Sequence, residues 1–227
     1  MTDEFLTDDE QIEVAKRWLA ENGLWLLAGV VLAVTLFFGY RYYVGHGAER
    51  DLRAGAEFDD MTAAIDKNDR GAARKIAAGL IATYPGTPYA DQAQLTLARL
   101  DVDDGQDASA VAPLTEVMQH SKDPELQSVA RLRLARILID AGKPDEAIGA
   151  LAVTAPAAFA ARFHEVRGDA LYAKKDLTGA ASEYRAALAA SDPRYGDAAL
   201  LQLKISDLGV PPAPAAPPVP DVNKGKT

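Results

Sequence analysis

Residues 128–151 read SVARLRLARILIDAGKPDEAIGAL, and residues 161–184 read ARFHEVRGDALYAKKDLTGAASEY. Set against each other at an offset of 33, Ala135 falls on Gly168, Leu138 on Leu171, Ala147 on Ala180 and Leu151 on Tyr184. Apolar residues recur at i, i+3, i+4 and i+7, the spacing of a helix with one apolar face. A polar break divides each block into two such helices. The matched small residues sit where two helices can cross closely, and the matched large ones where they share a core. The pattern predicts helix hairpins that stack on one another, in helices of about 12–16 residues between Gly, Pro and Asp breaks.

Self-similarity at this period resembles the tetratricopeptide repeat (TPR), whose unit is about 34 residues. In the 128–160 unit, Leu134-Ala135 stands for the Leu-Gly pair, Gly142 closes the first helix and Ala147 marks the crossing in the second. In the 161–193 unit Gly168, Ala180, Tyr184 and Ala187 match and Pro193 follows, but Lys175 replaces the inter-helix glycine. An earlier unit at about 91–127 fits with Leu97-Ala98, Gly105, Ala110 and Leu114. A weaker one at 54–90 rests on Ala73 and the terminator YPGTPY, Tyr84 to Tyr89. The fold class is therefore all-α, with a TPR-like α-solenoid of three to four helix pairs over residues 44–209. Lys143-Pro144-Asp145-Glu146 reads as a turn with a proline and acids opening a helix.

Ahead of the repeats lies AENGLWLLAGVVLAVTLFFGYRYY, residues 20–43, with no charge between Asn22 and Tyr40. Those nineteen residues span roughly 28 Å as a helix, about the hydrocarbon thickness of a bilayer. Trp25 at one end and Tyr40, Tyr42 and Tyr43 at the other fit aromatic belts at the two interfaces. A cleaved signal would open on a short basic region, whereas residues 1–22 carry seven acids against Lys16 and Arg17. The run is read as a retained single-pass transmembrane helix over 23–43, preceded by an acidic segment 1–22. Ile12, Ala15, Trp18 and Leu19 give that segment a short amphipathic helix. Gly29 and Ala33 form a small-xxx-small pair suited to a helix partner or to lipid. Lys16 and Arg17 precede the run and Arg41, Arg50 and Arg53 follow it. Long domains cross regardless of charge, so the short flank weighs more and places the N-terminus in the cytoplasm.

The chain carries 24 Lys+Arg against 33 Asp+Glu, a net charge of -9. That balance speaks against nucleic acid, whose binders displace counterions with basic surface. There is no cysteine, so disulfides and thiolate metal sites are excluded, and His46, His120 and His164 stand far apart. No nucleophile–base set, paired carboxylates or phosphate loop stands out, so neither an enzyme nor a cofactor is indicated. Residues 210–227 hold six prolines between Pro211 and Pro220 and read as an extended or disordered tail.

EVAKRWLAENG (13–23), the anchor ending GYRYY (39–43), LRLARILIDAGKPDEAIGAL (132–151), the element Glu165-x-x-Gly168-Asp169 and the closing LQLKISDLG (201–209) occur together. In this combination, over about residues 8–209, the chain resembles the bacterial ancillary SecYEG translocon subunit family with its TPR-like domain. The resemblance implies an inner-membrane protein with its repeats in the periplasm. Its implied partners are the Sec translocon channel, a membrane-anchored periplasmic prolyl-isomerase-like chaperone and exported client proteins. The proline-rich tail lies outside the resemblance.

In TPR stacks the first helix of each pair lines a concave groove that holds proteins. That register places Arg99, Arg136 and Asp169 at equivalent groove positions, with Arg162, Glu165 and Tyr172 as further ones. Arg99 and Arg136 are candidates for carbonyl or carboxylate contacts and Tyr172 for apolar contact. The competing reading pairs these charges with neighbouring acids for solubility alone. Two other functions compete as well: an envelope scaffold in cell division or outer-membrane assembly, and a cytoplasm-facing TPR adaptor of inverted topology.

Overall fold

Four turns of one kind organise the chain. In the computed structural model, which describes residues 8–191 and 198–209, Asn68, Gly105, Gly142 and Lys175 all have positive φ, 57°, 71°, 73° and 66°. Each ends a helix, and each N–H bonds back to the third carbonyl before it (Ile65, Val102, Ile139, Tyr172). The next N–H, of Asp69, Gln106, Lys143 and Asp176, bonds five residues back to Ala64, Asp101, Leu138 and Leu171 at 2.8–3.0 Å. This is the Schellman closure, and it normally takes glycine because no Cβ then meets the carbonyl. Lys175, which departs from the repeat pattern, thus keeps the geometry while lacking the favoured residue, and Asn68 supplies it to the weakest unit.

The helices between these turns are α1 (Asp8–Asp66), α2 (Arg70–Thr83), α3 (Pro88–Asp103), α4 (Asp107–His120), α5 (Pro124–Asp140), α6 (Pro144–Ala150), α7 (Ala160–Ala173), α8 (Leu177–Ala190) and α9 (Ala198–Asp207). A single 3-10 turn at Ala157–Phe159 precedes α7, and no strand occurs among the described residues. Starts are written locally. The carboxylates of Asp69, Asp123 and Asp176 and the hydroxyl of Thr87 accept backbone N–H groups of the first turn. Proline opens α3, α5 and α6 where no donor is needed.

Contacts divide the chain after Glu57. The second unit is the helical stack, with first helices α3, α5 and α7 each followed by its partner α4, α6 and α8. The four crossing alanines, Ala73, Ala110, Ala147 and Ala180, are all 0% exposed. Met61 and Ala64, at the end of α1, share a core with Ala73, Ala77 and Leu80 of α2, so the weakest of the expected units is a helix pair like the others. The core continues through Leu114, Leu134, Leu138 and Phe163 and ends around Tyr184, Ala187 and Leu201.

One close approach explains the Leu151-to-Tyr184 exchange between repeats. A Cβ on Gly168 would lie 2.5 Å from Cε1 and 2.6 Å from Cδ1 of Tyr184. The neighbouring repeat solves the same space with Ala135 and Leu151, both 0% exposed. α6 departs from the expected 12–16 residues, with 7. Pro156 removes a donor just beyond it, and two guanidinium groups finish its end. Arg131 donates to the carbonyl of Ala150 at 3.1 Å, and Arg167 to that of Leu151 at 3.2 Å.

In the first unit, the stretch Lys16–Arg41 of α1 is long and apolar enough to cross a membrane, and none of it is buried. This differs from the helix of a soluble core, since the uncharged run from Leu24 to Tyr40 is exposed and suits hydrocarbon. The chain is read as membrane-anchored. The expected amphipathic segment is not a separate helix but the first turns of α1, which also continues unbroken through 44–66. Residues 1–7, Pro193 and the proline-rich 210–227, together with the side chains of Ala15, Tyr42 and Tyr43, lie outside the described residues.

Candidate functional site

The inward positions of α3 and α5 meet in a cleft of ≈ 440 Å³ whose lining includes Arg99, Arg133 and Arg136. Helix α3 brings Arg99, one residue after the buried Ala98, and α5 brings Arg133 and Arg136 one turn apart, flanking buried Leu134 and Ala135. Val102, Leu114 and Ile137 give the cleft an apolar floor. The two arginines expected to be equivalent therefore do line one site. Arg99 is 59% exposed and only loosely held, its Nε being 3.8 Å from Asp103 one turn along its own helix. Arg136 is exposed.

Arg133 is the residue that sequence reasoning missed. Its guanidinium is half-buried and donates to the carbonyl of Leu95 at 3.1 Å, tying α5 to α3. Burial pulls its pKa below the ordinary arginine value, and the charges of Arg99 and Arg136 push it in the same direction. The signal was present in the i, i+3 spacing of Arg133 and Arg136, on the helix face that the register already assigned to the groove.

The third equivalent position behaves differently. Asp169 accepts from the Tyr184 hydroxyl at 2.7 Å and from Lys204 Nζ of α9 at 2.8 Å. Glu165, expected to face the groove, is buried (7% exposed), held by Lys204 at 3.1 Å and by Arg162 at 3.2 Å. Burial opposes the Lys204 charge, yet the bonds and charges of Asp169 and Glu165 win and raise its pKa. Burial and the Asp169 bond likewise raise that of Tyr184. Tyr172 is 51% exposed at the rim of the smaller cavity, ≈ 260 Å³, where α7 and α9 meet. The six expected groove residues thus fall into two places, a cleft between α3 and α5 lined by three arginines and a salt-bridged junction between α7 and α9.

Along α1, Trp25 and Tyr40 are 79% and 71% exposed at opposite ends of the apolar stretch. Nothing lies within 4 Å of a Cβ built on Gly29, and Ala33 follows one turn later on the same open face.

Residues 16–210 match the model of a tetratricopeptide repeat-like domain. Over 206 residues the chain is 31% identical to the ancillary SecYEG translocon subunit of Escherichia coli, covering 89% of this chain and 97% of that protein. The chain belongs to the ancillary SecYEG translocon subunit family. Relatives of the same name from Neisseria gonorrhoeae, at 28% identity over 89% of this chain and 98% of theirs, and from Haemophilus influenzae, at 27% over 80% and 89%, agree. No solved structure matches the chain. Family membership bears out the resemblance carried by the anchor, the repeats and the closing LQLKISDLG, which begins within α9 and carries the Lys204 that bridges to α7.

Proposed function

We propose that the chain is a non-enzymatic inner-membrane protein with its N-terminus in the cytoplasm and its TPR-like domain in the periplasm. There it binds proteins at the Sec translocon and assists exported clients beside a membrane-anchored prolyl-isomerase-like chaperone. One observation carries the reading: a relative matched over 97% of its length is named an ancillary SecYEG translocon subunit. The exposed apolar stretch of α1 supports a lateral membrane partner, and Lys16 and Arg17 on the short flank support the orientation. The open cleft between α3 and α5 supports protein binding rather than chemistry, because its polar groups are guanidinium and carboxylate side chains over an apolar floor.

The test is photo-crosslinking from a probe amino acid at Gly29, where a new side chain meets nothing within 4 Å. Capture of a translocon channel subunit in living cells is the expected result. Capture confined to cell-division or outer-membrane assembly proteins would replace this function with that of an envelope scaffold.

A further inference from the structure

The charge pattern along the stack is uneven, and the unevenness points to a ligand. Near the start, Arg74 meets Asp101 and, at 2.8 Å, Asp104, while Arg70 also pairs with Asp104. At the end, Lys204 meets Glu165 and Asp169. Between these neutralised junctions, Arg99, Arg133 and Arg136 line one cleft. Two acids share that lining, Asp107 and Asp140, and Asp103 lies 3.8 Å from Arg99. None of them relieves Arg133, which feels the other two arginines instead. Every fully buried side-chain nitrogen in the described structure has a partner. Arg133 uses one guanidinium nitrogen on the Leu95 carbonyl and lines the cleft with the rest of its half-buried side chain.

Three guanidinium groups offer more donors than one carboxylate can accept, since its two oxygens present only about four lone-pair sites and each guanidinium carries five N–H groups. A floor of Val102, Leu114 and Ile137 beside them matches a segment that alternates acid with apolar side chains. We infer that the α3–α5 cleft binds an acidic, apolar-flanked segment of a client protein through at least two side-chain carboxylates, held by Arg99, Arg133 and Arg136. The inference rests on reading the domain as a client-binding module and names what that module recognises.

The experiment uses the full chain in detergent micelles and a fluorescent twelve-residue peptide. The peptide carries two Glu among Leu and Val, with a blocked C-terminus, and binding is read by anisotropy. Expected results are saturable binding, a loss of at least tenfold on replacing both Glu by Gln, and a similar loss in Arg136→Glu with unchanged far-UV circular dichroism. Arg133→Lys, which keeps the charge and removes the fork, is expected to weaken binding by a smaller factor. Equal binding of the Gln peptide, or unchanged affinity in Arg136→Glu, overturns the inference. So does binding that needs a free C-terminus, or displacement of the peptide by millimolar inorganic phosphate, which would mark a generic anion site. The purified system contains no channel, so these outcomes are independent of crosslinking from Gly29. Arg136→Glu should leave that crosslink intact.

Discussion

Gly168 and Tyr184 show how a single pair of residues tunes a repeat. With Cε1 of Tyr184 2.5 Å from the place of a Cβ, and its hydroxyl held by Asp169, the ring has little freedom to retreat. Gly168→Ala is expected to cost about 1–3 kcal/mol, the range for overpacking a well-filled core. Adding Tyr184→Leu recreates the Ala135–Leu151 arrangement of the preceding repeat and should recover much of the loss. Urea unfolding followed by far-UV circular dichroism measures both; tryptophan fluorescence would not, because Trp18 and Trp25 both lie in α1. At Lys175, φ of 66° imposes the left-handed penalty of about 1–2 kcal/mol on a side chain. Lys175→Gly should therefore raise the unfolding midpoint by roughly 1 kcal/mol in stability, partly offset by the chain entropy of glycine. At this scale the sequence was most readable where residues are small. Ala135, Gly168, Ala147 and Ala180 declared their crossings because nothing larger fits. Lys175 hid its turn, since its conformation is imposed by the hairpin and not chosen by the residue.

Helix α9 is held by a charged lock rather than by extensive apolar surface. Its buried Leu201 joins the last core, and its Lys204 bridges Glu165 and Asp169 of α7. Lys204→Ala removes two charge-assisted hydrogen bonds and leaves Glu165 with Arg162 alone, an expected loss of roughly 2 kcal/mol. Hydrogen exchange should locate that loss in α9 and the end of α7. The pH dependence follows from the raised Lys204 pKa. A group with a higher folded than unfolded pKa contributes its full stabilisation below the unfolded value, ordinarily 10.5. The contribution disappears as pH rises through the folded value. The α9 attachment should hold at neutral pH and weaken in alkali above that value, and Lys204→Met should remove the lysine's share of this alkaline component, leaving that of Tyr184. LQLKISDLG was legible only as part of the family resemblance, and its lock was not legible at all. Glu165, Asp169 and Lys204 are as far as 39 residues apart, and local spacing carries no information about which acid a lysine meets. The same limit applies to α6, whose early end depends on Arg131 and Arg167 arriving from α5 and α7. Arg131→Met is expected to expose the end of α6 to exchange and to cost about 1 kcal/mol.

As a whole, the molecule pairs an exposed apolar helix with a stack of helix hairpins whose charges are settled at both ends and unsettled between α3 and α5. The repeats, the anchor and the family were legible because each is written in local periodicity and composition. The division of the groove into an arginine-lined cleft and a salt-bridged junction was not, because it depends on α9 bringing Lys204 to Asp169, whereas Arg136, at the equivalent position, shares a cleft with Arg99 and Arg133. On the proposed function, the apolar stretch of α1 crosses the inner membrane once and leaves the stack on the periplasmic side. The chain has no cysteine, so a single Ser182→Cys on the exposed surface of α8 provides a unique reporter. Labelling of that thiol by a membrane-impermeant maleimide in intact spheroplasts is the measurement. Full labelling without lysis is expected; labelling that appears only after the inner membrane is broken would put the stack in the cytoplasm instead.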